Sequence, residues 1–116
     1  MGDGNAVLAL KALDCLAARA TVTAQNIANA GTANYRPMQV RFEDALRMAA
    51  AEGDGAVERV SPSIERVPLN QLTGSGELRP DLEMGTASNT ALRYNALITM
   101  LGREMQLDTL AVTGNV

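Results

Sequence analysis

The chain has 116 residues, a formal net charge of -3 and 47% hydrophobic residues, with one Phe, two Tyr and no Trp. It contains no stretch dominated by Lys and Arg, which argues against nucleic acid as a partner, and one cysteine without any histidine gives neither an internal disulfide nor a set of metal ligands. The Ala, Leu, Val and Met content favours long helices over a compact core built around aromatic residues.

Residues 5–30 are predicted to form one long helix. Small and apolar side chains recur there at alternating spacings of four and three, the pattern of a coiled-coil seam. The seam consists of Ala6, Leu10, Leu13, Ala17, Ala20, Ala24, Ile27 and Gly31. Because most of these residues are small, another helix can approach closely but buries little area per residue, so the helix alone would be marginally stable.

Two asparagines, Asn26 and Asn29, interrupt the apolar pattern near the end of this helix. Three residues apart, they lie on one side of a helix, where their amides can bond to neighbouring backbone or to another subunit. The alternative, slightly favoured by composition alone, is that both are exposed at a fraying helix end. Gly31 is expected to end the helix in a left-handed conformation, and Asn34 is the next residue suited to that conformation.

The middle of the chain is expected to be less regular. Arg36 precedes a proline and should be extended, and residues 40–51 have the spacing of a short amphipathic helix. Residues 52–80 are interrupted by glycines and prolines, so they are interpreted as a partly mobile connector, with a short extended, hairpin-like piece within 57–67.

A second long helix is predicted from about Leu82 to Val112, with Asp81 and Glu83 capping its start. Its apolar residues cover more than one stripe, so a single partner helix would not bury them and neighbouring subunits are expected to. The residues predicted to pack helices together are Leu10, Leu13, Ala17, Ala20, Ala24, Leu92, Tyr94, Leu97, Leu101 and Met105.

Catalysis is not predicted. The acidic residues are scattered, and no nucleophile with a neighbouring base, no metal-ligand cluster and no phosphate-binding glycine loop is present in the sequence, so no catalytic, cofactor or metal residue is assigned. Cys15 lacks an activating partner and is interpreted as a small, buried or half-buried helix residue. The sequence also shows neither a cleaved secretory signal nor an apolar run long enough to span a bilayer.

Residues 24–36, AQNIANAGTANYR, resemble the signature of bacterial flagellar rod and hook proteins, which usually reads N-I-A-N-A-x-T-P-G-Y or F; Ala33 and Asn34 replace its proline and glycine. Residues 40–46, VRFEDAL, and 91–97, ALRYNAL, are similar to segments of FlgB-type proximal rod proteins. The chain has no room for the large inserted domains of hook and distal rod proteins. The matched signature residues are Asn26, Ile27, Ala28, Asn29, Ala30, Thr32, Asn34 and Tyr35.

The resemblance implies a structural subunit of the proximal rod of the flagellar basal body. Such a subunit is exported by the flagellar type III apparatus without signal cleavage and assembles in the periplasm, above the MS ring, into a hollow rod that transmits torque. Its implied partners are copies of itself, FlgC, FlgF, FliE and the MS-ring protein FliF, with no nucleic acid, no inserted membrane segment and no cofactor. The alternative is a cytoplasmic helical adaptor or a small coiled-coil oligomer.

The expected fold is mainly α, with the N- and C-terminal helices pairing as an antiparallel coiled coil around an irregular, partly extended connecting region. Four segments are predicted. Residues 1–35 hold the first packing helix and the signature, 36–51 a short amphipathic segment, 52–80 the connector, and 81–116 the C-terminal packing helix.

Overall fold

The protein is mainly helical and elongated, with extents of 62 × 27 × 16 Å in a computed structural model. The structure describes residues 3–72 and 80–113, and the side chains of this part except at positions 3, 4, 108, 110, 111 and 113. In chain order the elements are α1 (Asp3–Ala28), β1 (Met38–Arg41), α2 (Glu43–Glu52), α3 (Asp54–Glu58), β2 (Ser63–Arg66), a 3-10 turn (Leu69–Gln71) and α4 (Pro80–Thr113).

The two long helices, α1 and α4, pack against each other, which confirms the predicted helical architecture. Asn26, near the end of α1, contacts Glu83 near the start of α4, whereas Arg19 and Arg93 meet further along each helix at a shared carboxylate. The contacts therefore follow opposite chain directions. Helix α4 begins at Pro80, where a proline costs no helical hydrogen bond, and its first turn contains acidic side chains as expected.

The connection between the long helices is more regular than the glycine and proline content predicted. Strand β1 pairs antiparallel with β2, and Val40 lies opposite Ile64. The prediction of a helix from residue 40 is wrong at its start, because Val40 belongs to β1 and α2 begins only at Glu43. The β-branched side chain of Val40 is buried, and the extended backbone that it favours is stabilised by pairing with a strand more than twenty residues away.

Helix α3 is a second element that the sequence did not predict. Gly53 separates it from α2 with a φ of 127°, a conformation that a residue with a Cβ rarely adopts. Val57 of α3 is buried in the core, and the Lys11 ammonium donates to the backbone carbonyl of Glu58 at 3.0 Å. Tertiary contacts thus hold a helix of five residues that would not persist alone.

The hydrophobic core lies between one face of α1 and the elements β1, α2 and α3. Its buried members are Cys15, Leu16, Val22, Val40, Phe42, Leu46, Ala49 and Val57, with Leu97 of α4 packed against them. The prediction that Cys15 is a buried helix residue is confirmed, because its side chain is fully enclosed. The core is small, and it uses a different face of α1 from the predicted seam.

Most of the predicted helix-packing residues are exposed in the single chain. On α1, Leu13 is buried, but Leu10 is 52% exposed and Ala17, Ala20 and Ala24 also lie at the surface. On α4, Leu97 and Leu101 are half-buried. The remaining predicted packing residues of α4, Leu92, Tyr94 and Met105, are exposed.

Candidate functional site

The side chain of Asn26 forms the centre of the signature region. It is only 3% exposed, and its amide makes hydrogen bonds to three other residues. The nitrogen Nδ2 donates to the backbone carbonyl of Met38 at 2.7 Å and to Oε1 of Glu83 at 2.9 Å. The oxygen Oδ1 accepts from the Tyr35 hydroxyl at 2.8 Å and from the Met38 backbone N–H at 3.1 Å.

These bonds make Asn26 the junction of α1, β1 and α4. A carboxamide has two N–H donors and two acceptor sites on oxygen, and here all of them are used. The interpretation of Asn26 as an exposed residue at a fraying end is therefore wrong. Its amide has no capacity left for a neighbouring subunit, so any part it has in assembly is indirect, through the positions of Tyr35, Met38 and Glu83.

The rest of the signature shapes the turn that follows α1. Asn29 donates from Nδ2 to the backbone carbonyl of Gln25 at 2.9 Å and accepts from the Thr32 hydroxyl at 3.2 Å. Its backbone carbonyl also accepts from the Thr32 N–H at 2.9 Å. Asn29 is thus a local cap of the helix end, whereas Asn26 makes the tertiary contacts.

The left-handed residue of this turn is Asn34, with a φ of 64°, as its place in the signature predicted. The expectation of a left-handed cap at Gly31 is wrong, because among the described residues positive φ occurs only at Asn34 and Gly53. Helix α1 ends at Ala28, two residues before the predicted end at Ala30. The other signature residues, Ile27, Ala28, Ala30 and Thr32, are exposed.

A second polar cluster joins α1, α2 and α4 around the carboxylate of Glu43. Arg19 donates to both carboxylate oxygens from its two terminal guanidinium nitrogens at 2.7 Å, and Arg93 donates to Oε2 at 3.1 Å. Arg19 also donates to the backbone carbonyl of Val40 at 2.7 Å and stacks on the Phe42 ring, with its guanidinium carbon 4.7 Å from the ring centroid. This forked geometry is the one in which arginine binds a carboxylate most strongly.

The environment lowers the pKa of Glu43 to about 2. The hydrogen bonds from Arg19 have the largest effect, and those from Arg93 add to it, while partial burial acts in the opposite direction. The sequence pattern does not predict this cluster. Its members are 24 and 50 residues apart in the chain, so no local spacing brings them together.

A polar cleft of about 820 Å³ lies between α1, β1 and α4. Both polar clusters contribute to its walls, because Arg19, Glu43, Glu83 and Arg93 all line it. Valine, methionine and leucine side chains provide the rest of the lining together with neutral polar residues. The charged groups that line the cleft bind partners inside the chain and form a network that links α1, α2 and α4.

An apolar groove of about 430 Å³ lies between α1 and α4, and Leu16 of the hydrophobic core forms part of its lining. Four predicted seam residues, Ala17, Ala20, Ala24 and Ile27, form one wall together with Leu16. The other wall comes from α4. It consists of Ala87, Thr90, Ala91, Tyr94 and Asn95. The groove therefore collects the small residues that the sequence assigned to helix packing.

The described residues contain no arrangement of three or more His, Cys, Asp or Glu side chains that would hold a metal ion. Within 3–72 and 80–113, no helix is long and apolar enough to cross a membrane. Burial raises the pKa of the Cys15 thiol, which keeps this nucleophile protonated inside the core.

No family model and no curated protein sequence matches this chain.

Proposed function

We propose that the protein is a FlgB-type structural subunit of the proximal rod of the bacterial flagellar basal body. In this proposal α1 and α4 pair as an antiparallel coiled coil, and their outer faces pack against other subunits of a hollow, torque-transmitting tube. The protein acts through its interfaces and not through catalysis.

The observation that carries the proposal is the apolar surface that the helix pair leaves uncovered. Large apolar side chains with at least a third of their surface exposed occur along α4 from Leu82 to Val112, and the groove between α1 and α4 is open. A soluble monomer rarely exposes so many large apolar side chains along one helix, whereas a subunit of a larger assembly buries them against its neighbours.

The signature region supports the proposal in a different way. Asn26 holds β1 and the start of α4 against the end of α1, because its one buried amide bonds to both Met38 and Glu83. A subunit of a regular tube needs the same relative orientation of its surfaces in every copy. A buried, fully bonded polar group supplies that orientation, since displacing it leaves several unpaired partners.

The proposed partners are other copies of the chain, FlgC, FlgF, FliE and the MS-ring protein FliF. The flagellar type III export apparatus would deliver the chain without signal cleavage, and the proposed location is the periplasmic rod. The single cysteine suits this route, because Cys15 has no second cysteine in the chain with which to form a disulfide before or after export.

Deletion of the gene in the source bacterium tests the proposal. We expect basal bodies that retain the MS ring but lack a rod when viewed by electron microscopy, with swimming restored by the wild-type gene. Normal rods in the deletion strain would refute the proposal. A cooperatively melting, closed dimer in dilute solution would favour the alternative of a small coiled-coil oligomer.

A further inference from the structure

Helix α4 contributes little to the hydrophobic core, although it is longer than α1. The buried members of the core cluster all lie within residues 15–57, and Leu97 is the α4 residue that packs against them. Among the described side chains of α4, only that of Thr90 is buried, with 2% of its surface exposed. Residues 3–72, which we call the base, therefore contain the core, and α4 lies against the base.

The residues that α4 covers lie on one narrow line along the helix. Successive members of this line are three or four residues apart, which is the spacing of a single helix face. The described side chains of α4 that are buried or half-buried are those of Glu83, Ala87, Thr90, Arg93, Leu97, Leu101 and Glu104. Leu97 and Leu101 are the large apolar side chains among them, so docking of α4 removes little apolar surface from water.

Open spaces flank this line on both sides. Glu83 and Arg93 line the polar cleft of about 820 Å³, whereas Ala91 and Tyr94 line the apolar groove of about 430 Å³. Thr90 lines both spaces, because it lies between these two sets of residues around the helix. Side chains beside an open space lack the dispersion contacts of a packed interior. The packing of α4 against α1 is therefore looser than the packing inside the base.

Two polar contacts fix the position of α4 on the base. Glu83 accepts a hydrogen bond from the buried amide of Asn26 at 2.9 Å, and Arg93 donates to Glu43 at 3.1 Å. The side chains of Arg93 and Glu43 are 42% and 45% exposed, so water screens this ion pair and it adds little stability. The directions of these bonds instead select one register of α4 along α1.

We infer that α4 undocks from the base as one unit while the base keeps its fold. Proteins open locally in cooperative units, and segments with few buried apolar contacts open at the lowest free energy. The base retains its core in this opened state, because Phe42, Leu46 and Val57 belong to a cluster whose buried members all lie within residues 15–57. Undocking removes one wall from both the polar cleft and the apolar groove, so α4 acts as a strap across the base.

Hydrogen exchange of the full chain in dilute solution, followed by mass spectrometry, tests this inference with three variants. Val57→Ala shortens a side chain of α3 that is 2% exposed, which weakens the base and leaves the covered line of α4 unchanged. Leu97→Ala shortens the half-buried leucine through which α4 meets the core. Leu92→Ala is the matched control, because it makes the same substitution in the same helix at a side chain that is 70% exposed.

In the wild type we expect the amides of α4 to exchange at least about tenfold faster than those of α1 and α2, after correction for intrinsic rates. Val57→Ala should speed exchange in the base about tenfold and leave α4 unchanged, because undocking does not expose Val57. Leu97→Ala should speed exchange in both about tenfold, since it destabilises the docked state relative to every opened state. Leu92→Ala should change neither by more than about twofold.

Equal acceleration of α4 and the base by Val57→Ala would overturn the inference, because the chain would then open as one unit. Equal protection of α1 and α4 in the wild type would also overturn it, and this comparison stands whether or not Val57→Ala folds. Unprotected amides throughout α4 would contradict a docked strap. The inference concerns the single chain and does not depend on the rod proposal, so none of these outcomes changes the result of the deletion test.

Discussion

The two faces of α1 contrast sharply in what covers them. On the inner face Cys15, Leu16 and Val22 are buried against β1 and the short helices α2 and α3. On the outer face Ala17, Ala20 and Ala24 lie at the surface and line an open groove. Both faces belong to the same 26-residue helix, so the difference comes from the side chains and not from the backbone.

The contrast teaches how to interpret a heptad pattern in a small protein. The regular seam of α1 does not mark the face that the chain buries by itself, since that face carries larger and less regularly spaced residues. Knobs-into-holes packing requires a regular spacing, because both partners are helices. A core shared with strands and short helices imposes no such period, so the strongest periodicity of α1 lies on the face that this core leaves exposed.

The largest expected effect comes from shortening a leucine on the inner face. Leu16→Ala removes a side chain that is 1% exposed, and we expect a loss of about 2–5 kcal/mol in the free energy of unfolding because a cavity remains in the core. Leu10→Ala is the matched control on the outer face and should change it by about 0.5 kcal/mol or less. Urea denaturation measures both, and equal losses would contradict the distinction between the faces.

A smaller effect is expected when the amide at the junction is changed. Asn26→Asp keeps the shape but removes the two N–H donors and places a second carboxylate beside Glu83. We expect a loss of about 3 kcal/mol in urea denaturation, since buried partners lose their hydrogen bonds. Asn29→Asp is the control, because its amide bonds only within the helix end, and it should cost about 1 kcal/mol or less. A larger loss for Asn29→Asp than for Asn26→Asp would contradict the assignment of the junction to Asn26.

The smallest effect concerns the carboxylate that joins α1 to α4. The folded pKa of Glu43 is about 2, below the ordinary value of 4.5, so ionised Glu43 stabilises the fold above pH 4.5 and this contribution is lost as the pH falls toward 2. Glu43→Gln should cost at most about 1 kcal/mol at neutral pH, because the cluster is partly solvated. The difference in melting temperature between the wild type and Glu43→Gln should shrink as the pH falls, and a constant difference would contradict this role of Glu43.

The long helices and the turn after α1 were predictable from sequence because their signals are local. Period and composition identified both helices, and the acidic first turn placed the start of α4 within two residues. Asn34 was predicted to favour the left-handed conformation that it adopts. These properties depend on residues close together in the chain, which is the range over which sequence patterns carry information.

Strand β2 lies within the extended piece predicted for residues 57–67, but strand β1 and both polar clusters were not predicted because their partners are distant in the chain. Val40 has the spacing of the amphipathic helix that follows, and only its pairing with Ile64 makes it part of a strand. Glu43 had no recognisable role until Arg19 and Arg93 were brought to it. Asn26 was noticed as unusual, but the identity of its partners depended on the tertiary fold.

The bonds from α1 to β1 also limit how the sheet can grow. Asn26 binds both the N–H and the carbonyl of Met38, and Arg19 binds the carbonyl of Val40, so side chains occupy the positions of a third strand along this edge. The opposite edge belongs to β2, which has four residues between Pro62 and Pro68. Strand addition, the contact that leads to amyloid-like aggregation, is thus restricted to one short, proline-flanked segment.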